Sequence, residues 1–325
     1  MFGNRKPHQQ QIQSALDAIN GVKVENIIIE NGKVRAILAA EANQDAVDIE
    51  IKAEQAIKTI KGVTDVQIIV TAEKSVPAKP ANTTKIKIDA KQVIAVASGK
   101  GGVGKSTVAM NIAAALAKSG QKIGLLDADI YGPSVPRMTG LSSQKPPQEN
   151  GKIIPLCAHN IDVMSIGFMI GEDNPLIWRG PMVQSAFTQM LSDVAWNGLD
   201  TLVIDLPPGT GDVQLTMAQR VPLTGAIIVS TPQDIALIDA RKAIEMFKKV
   251  NVPILGLIEN MSYHVCDNCG VESHIFGHDG AKNAAIELGI PFLGAIPLNA
   301  KIREMADQGE PISEFYDGVI AGLRS

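Results

Sequence analysis

Apolar positions near the start follow one pattern and those further along follow another. Over residues 11–20, Ile12, Leu16 and Ile19 fall on one helical face. Two strand-like runs follow, VKVENIII (22–29) and KVRAILAA (33–40), joined by Asn31-Gly32, a pair that tolerates the positive φ of a tight hairpin. A polar opening at Asn43-Gln44-Asp45 leads into a helix ending near Ile60, which Gly62 can close, and DVQIIVT (65–71) adds a third strand. The stretch 72–85, AEKSVPAKPANTTK, has two prolines and no periodicity and reads as a linker.

From residue 92 short, continuous apolar runs alternate with helical stretches: VIAVAS (93–98), KIGLLDAD (122–129), DVMSIG (162–167), TLVIDLPP (201–208), GAIIVSTP (225–232), ILGLIEN (254–260) and PFLGAIP (291–297). Unbroken apolar strands separated by helices predict an α/β unit, a mostly parallel sheet covered by helices on both faces. The expected division is a small α+β domain over 1–73, a linker over 74–91 and the α/β domain over 92–325. Ligands of such sheets bind beyond the carboxyl ends of the strands. Several strands here end in polar, glycine-rich loops: SGKGG, DADIYGPS and DLPPGTGD.

Composition narrows the class. The 325 residues are 45% apolar and 20% charged, as in a folded globular chain, and the formal net charge of −4 argues against a general nucleic-acid binder. The opening MFGNRKPHQQQIQ lacks the apolar core of a signal peptide, and no uncharged apolar run is long enough to span a bilayer. With three cysteines and no export signal, the expectation is a cytoplasmic protein with reduced thiols.

The chemistry begins at SGKGGVGKST. Gly99-Lys100-Gly101-Gly102-Val103-Gly104-Lys105-Ser106 fits the phosphate-loop pattern G-x-x-x-x-G-K-[ST], after an apolar run and ahead of a helix opening at Thr107. Glycines let backbone N–H groups turn toward phosphates, Lys105 can reach the β- and γ-phosphates, and the Ser106 hydroxyl can ligate Mg²⁺. Asp127, Asp129 and Asp205 end strands nearby, and phosphoryl transfer needs carboxylates near the metal and one to position water.

A second cluster is Cys266-x-x-Cys269-Gly270. Two thiolates at this spacing make half of a metal or iron–sulfur site, which ordinarily takes four ligands. An intrachain zinc site with His274 and His278 and a redox dithiol are the alternatives. Cys157, alone in IIPLCAHN, reads as a small buried hydrophobe, Met164, Met169, Met182 and Met190 as core filling, and His159 and His264 have no partner visible in the sequence.

GKGGVGKST, with its early Lys100, resembles the deviant phosphate loop of the MinD/nitrogenase-iron-protein ATPases. DADIYGPSVPRMTG (127–140), DLPPGTGD (205–212), IENMS (258–262) and CDNCGVESHIFGHDG (266–280) resemble the Mrp/ApbC iron–sulfur cluster carriers. The resemblance implies a homodimeric ATPase in which Lys100 reaches across to the partner's nucleotide, Asp127 lies near Mg²⁺, and Asp129 orients the attacking water. Asp205 would support the metal's water shell, Gly209 would sense the γ-phosphate, and Asn260 would contact adenine. A dimer axis would also bring two Cys266–Cys269 pairs together around one [4Fe–4S] cluster, to be passed from scaffold proteins to apoprotein acceptors, without nucleic acid or membrane as partner.

Trp178-Arg179-Gly180-Pro181 matches a family segment near the interface, and an ordinary aromatic anchor explains it equally well. This chain has Asp267-Asn268 where the commonest family form has proline between the cysteines. Residues 11–73 resemble the MIP18-type domain fused to such carriers, without its acidic-proline segment or cysteine, which implies a docking module that holds no metal. An ATP-driven reductase and a positioning ATPase of the MinD/ParA kind, the latter with a structural zinc, are the competing readings. The tail FYDGVIAGLRS lacks the basic amphipathic character that membrane positioning would need.

Overall fold

The computed structural model describes residues 9–20, 22–30, 32–40, 46–72, 85–130, 132–169 and 180–324. It divides into two compact units, Met1–Asn82 and Thr83–Ser325. Most of the expected linker, and Asn31, Trp178 and Arg179, lie outside the described residues.

In the first unit, α1 (Gln9–Asp17), β1 (Val22–Glu30), β2 (Lys33–Ala40), α2 (Ala46–Lys58) and β3 (Asp65–Ala72) follow the expected helix-strand-strand-helix-strand order. β1 and β2 pair antiparallel with Glu30 opposite Lys33, so the turn is two residues long, and Gly32 supplies φ +82°. β3 runs parallel to β2. Ile12 and Leu16 of α1 and Ile49, Ala53 and Ile57 of α2 bury against Val34, Ala36, Leu38 and Ile68, which form a separate small core.

The second unit is built on an eight-stranded sheet. Its strands are β4 (Ala90–Ala97), β5 (Ile123–Asp127), β8 (Leu156–Ala158), β9 (Ile161–Ser165), β10 (Leu199–Asp205), β11 (Gly225–Ser230), β12 (Ile254–Glu259) and β15 (Phe292–Ala295). β6 (Gln148–Glu149) pairs with β7 (Lys152–Ile153), and β13 (His264–Val265) with β14 (Glu272–Ser273), as small separate hairpins. The strand order is β15-β12-β11-β4-β10-β5-β9-β8, parallel except for β8, which runs antiparallel to β9 at one edge. All seven apolar runs of the sequence are the seven parallel strands. They are buried because helices cover them: α3 (Lys105–Lys118), α4 (Val135–Met138), α5 (Gly180–Ser192), α6 (Asp212–Arg220), α7 (Asp234–Lys249), α8 (Gly280–Leu288), α9 (Ala300–Gln308) and α10 (Asp317–Arg324). No helix among the described residues is long and apolar enough to cross a membrane.

Cys157 corrects one expectation: it is exposed. It sits in the middle of β8, whose inward and outward positions alternate as in any antiparallel edge strand, so its apolar neighbours misled the reading. The methionines divide: Met164 and Met190 are fully buried, while Met169 is half exposed. His159 hydrogen-bonds the Gly309 carbonyl at 2.8 Å.

The central strand β4 lies between β10 and β11, and its carboxyl end is where the chain's connections part to either side. That is the position at which an open α/β sheet holds its ligand.

Candidate functional site

The phosphate loop leaves β4 at Ser98, whose hydroxyl donates to the Lys100 carbonyl at 2.9 Å and folds the loop back on itself. A Cβ at Gly99 would lie 2.0 Å from the Asp239 carbonyl oxygen of α7, so only glycine lets the loop pass that helix. Gly104 precedes α3 with φ +81° and makes no side-chain cap. The N–H groups of the first turn of α3 are therefore available to an anion, with the helix's positive end behind them.

Lys105, 6% exposed, points its ammonium at the strand ends. Nζ is 2.6 Å from Asp205 Oδ1, 3.6 Å from Asp129 Oδ2 and 3.3 Å from Ser106 Oγ. Asp205 is wholly buried, and burial pushes its carboxyl up against the pull of Lys105. Its other oxygen, Oδ2, is buried and has no hydrogen-bond partner among the described residues. An orphaned carboxylate oxygen beside the Ser106 hydroxyl and Asp129 is an all-oxygen donor set of the kind Mg²⁺ takes.

Asp127 is placed differently from its two neighbours. Oδ1 accepts the Asp129 N–H at 3.1 Å; Oδ2 accepts the Val135 N–H at 3.2 Å and the Ser165 hydroxyl at 3.0 Å. Its carboxyl thus braces the loop that carries Asp129. Burial, and then the nearby Asp205 carboxylate, push it up to about 7. Gly209 is tied to the phosphate loop's root, its N–H donating to the Ser98 carbonyl at 2.9 Å. Lys100 is half-buried, and among the described residues no carboxylate forms a salt bridge with it.

Two cavities meet at this loop. A polar one of about 220 Å³ is lined by Lys100, Gly101, Gly102, Lys105, Ser106 and Asp129. A larger one of about 490 Å³ shares Gly104 and Thr107 with it and extends past Arg137, Met138, Asn260 and Leu298. Together they suit the phosphates and the nucleoside of one nucleotide. Asn260 is buried at their junction and donates from Nδ2 to the Val103 carbonyl at 2.8 Å. The sequence offered no sign of the wall formed by Arg137, Met138 and Ile302, because α4 and α9 come together only in the folded chain.

The cysteines lie in the connection between β13 and β14. The Cys266 N–H donates to the Val271 carbonyl at 3.0 Å and the Gly270 N–H to the Cys266 carbonyl at 2.8 Å, which closes a tight knuckle with Gly270 at φ +70°. The backbone N–H of Cys269, then that of Asn268, then the Cys269 thiol stabilise the Cys266 thiolate and lower its pKa. Both thiols are free, Cys269 exposed and Cys266 partly so. The histidines of the alternative zinc site meet edge to face, with ring centroids 4.1 Å apart, and each also faces a carboxylate, His274 Nε2 3.3 Å from Glu272 and His278 Nδ1 3.0 Å from Asp279. Among the described residues no three His, Cys, Asp or Glu side chains are grouped to hold a metal ion, so the intrachain tetrad is not assembled. The knuckle presents two thiols outward and no further ligand.

Comparison with known proteins gives a consistent result. The family model described as ParA: NUBPL iron-transfer P-loop NTPase matches residues 89–320. An iron-sulfur cluster carrier protein of Pseudomonas fragi is 48% identical over 260 residues, covering 79% of this chain and 90% of that protein. The iron-sulfur cluster transfer protein NUBPL of Dictyostelium discoideum is 55% identical over 233 residues, covering 71% and 72%. Among solved structures, a nucleotide-binding protein of Archaeoglobus fulgidus in complex with ADP matches with a TM-score of 0.64 at 38% identity, over 71% of this chain and 91% of that one. The cell division ATPase MinD of Pyrococcus furiosus matches with a TM-score of 0.50 at 22% identity over 72% and 96%, and shares the fold.

Proposed function

The chain belongs to the NUBPL iron-transfer P-loop NTPase family, and from that premise we propose that it is an ATP-hydrolysing carrier of a [4Fe–4S] cluster. Two copies hold the cluster between them and deliver it to apoproteins. One observation carries the reading. The nucleotide cavities and an outward-facing, ligand-poor pair of thiols lie at the same carboxyl edge of one sheet, on segments that follow the parallel strands β4 and β12, which flank β11. A pair of thiolates that finds no third ligand among the described residues of its own chain is completed by a second copy across a two-fold axis.

In hydrolysis, the loop N–H groups and Lys105 stabilise charge on the β- and γ-phosphates, and Asp129 orients water for in-line attack on the γ-phosphorus. Ser106, with Asp205 and the Asp127-braced loop behind it, would hold Mg²⁺, which when bound would supply positive charge against that of the β- and γ-phosphates. Lys100 of the second copy adds a positive group that only the dimer completes, and Gly209, hydrogen-bonded to the loop's root, reports the γ-phosphate. Asn260 flanks the base.

The small first unit serves as a docking module for acceptor or scaffold proteins. The test is transfer from anaerobically loaded protein to an apo-acceptor whose activity requires a [4Fe–4S] cluster. Parent protein activates the acceptor. If Cys266→Ser protein, carried through the same loading, activates it equally, the reading fails.

A further inference from the structure

Six residues separate Glu259, the last of β12, from Cys266. The start of this short stretch touches the phosphate loop and its end is the cysteine knuckle. At the start, Asn260 holds the Val103 carbonyl, and a Cβ at Gly104 would lie 2.2 Å from Asn260 Nδ2, so the loop and this side chain cannot move independently. Met261, beside it in the cavity wall, holds φ at +55°, a left-handed conformation that side-chain-bearing residues keep only when their surroundings impose it.

Toward the knuckle, the Leu298 N–H donates to the Tyr263 carbonyl at 2.7 Å and His264 Nδ1 donates back to the Leu298 carbonyl at 3.1 Å. Leu298 itself lines the nucleoside cavity.

Glu259 joins these parts from below. It is 1% exposed, yet no cation pairs with it among the described residues. Oε1 accepts the Ser262 hydroxyl at 2.6 Å, and Oε2 accepts the Ala281 N–H at 2.6 Å. Ser262 precedes the β13–β14 hairpin and Ala281 lies in the first turn of α8, which follows it. The cap residue of α8, Asp279, makes no side-chain cap bond, so the Glu259 carboxylate serves that helix terminus instead. One buried carboxylate therefore holds both flanks of the cysteine hairpin to the strand end that touches the phosphate loop.

We propose that Glu259 is a positioning residue through which an occupied nucleotide site sets the conformation of the cysteine hairpin. Nucleotide that displaces the loop at Val103–Gly104 moves Asn260. Glu259, adjacent in the rigid strand end, carries the displacement to Ser262 and α8 together. The inference rests on the carrier reading for what the thiols hold, and on hydrogen bonding alone for the coupling.

The test is the rate of iodoacetamide alkylation at each cysteine of the full iron-free chain, resolved by mass spectrometry at fixed pH, with and without MgADP. Sedimentation ensures that the oligomeric state is the same in both samples. Cys157, exposed on β8 and six strand spacings or about 30 Å across the sheet from β12, is the internal reference. In the parent, MgADP changes the Cys266 rate by about fivefold or more, as for ordinary coupling between sites, and leaves Cys157 unchanged. Glu259→Gln preserves the response, since its amide offers an oxygen to Ala281 and an N–H to the Ser262 hydroxyl. Glu259→Ala abolishes it; because that variant leaves two buried donors unpaired, Ser262→Ala, which cuts a single link, makes the same test in a milder form.

ADP affinity, measured in parallel, stays at the parental value in Ser262→Ala. A parent rate indifferent to MgADP overturns the inference, as does a Ser262→Ala protein that responds like the parent or loses ADP binding. Alkylation needs no iron, so an indifferent hairpin would remove the coupling and leave cluster carriage standing. Failure to bind iron would do the reverse.

Discussion

Lys105 Nζ and Asp205 Oδ1 lie 2.6 Å apart in a pair that is almost fully buried, 6% and 0% exposed. The lysine proposed to meet phosphate is held in advance by a carboxylate at the end of β10. Removing one partner of such a pair leaves an uncompensated buried charge. Lys105→Met is expected to lower stability by about 3–5 kcal/mol in urea unfolding and to abolish phosphate release from ATP. Adding Asp205→Leu to that variant returns most of the stability, because the carboxylate that Lys105 compensated is gone as well, while hydrolysis stays lost. A double variant as unstable as the single one would show that the pair is not what Lys105→Met disrupts.

Asp129 is 13% exposed at the edge of the phosphate cavity and is braced from behind by Asp127. Asp129→Asn keeps the shape and loses the negative charge that draws water into line. Nucleotide affinity is expected to hold while the hydrolysis rate falls by about 10²-fold or more, within the range for a positioned acid–base group. Parental turnover in this variant would remove Asp129 from the reaction.

The raised pKa of Asp127 has a thermodynamic sign. Its carboxyl titrates at about 7 in the folded chain, against about 4 in an unfolded one. Between those values the folded state binds the extra proton. The contribution of Asp127 to stability is thus fully present below about pH 4 and is lost as pH rises through about 7, at up to about 1.4 kcal/mol per pH unit. In protein stripped of nucleotide and divalent cations, urea midpoints across this interval should fall more steeply with pH for the parent than for Asp127→Asn. Equal slopes would mean that Asp127 is ionised throughout.

Lys100 contributes its carbonyl to the loop's own turn, and its half-buried ammonium forms no salt bridge among the described residues. Lys100→Ala should therefore leave the fold and monomeric nucleotide binding intact. What it should remove is the dimerisation driven by a non-hydrolysable ATP analogue, as followed by sedimentation. Dimerisation equal to the parent's would rule out a lysine acting in trans.

What was legible in the sequence was local. Each parallel strand announced itself as an unbroken apolar run because helices cover both of its faces, and the phosphate loop did so because its glycines, lysine and serine are consecutive. Cys157 was misread because β8 is a three-residue antiparallel edge, too short for its alternation to stand out from IIPLCAHN. Glu259 stood in the sequence only as part of the motif IENMS; its role was hidden because its link to Ala281 is set by the packing of α8 on β12 rather than by spacing. The wall of the nucleoside cavity was invisible for the same reason, since Arg137 and Ile302 belong to helices far apart in the chain. The resemblance gave Asp127 a place near Mg²⁺ and Asp129 the attacking water; what it did not carry is that Asp127 spends both carboxyl oxygens on the Asp129 and Val135 N–H groups and the Ser165 hydroxyl, as a brace for the loop.

The central claim, one cluster shared by two chains, is tested most directly by counting metal. Protein reconstituted anaerobically should hold about four irons and four acid-labile sulfides per two chains. Cys266→Ser or Cys269→Ser should remove them entirely, since each substitution withdraws two of the four ligands, and Cys157→Ser and His278→Ala should keep them. One tightly bound zinc per single chain, released by His274→Ala, would contradict the account.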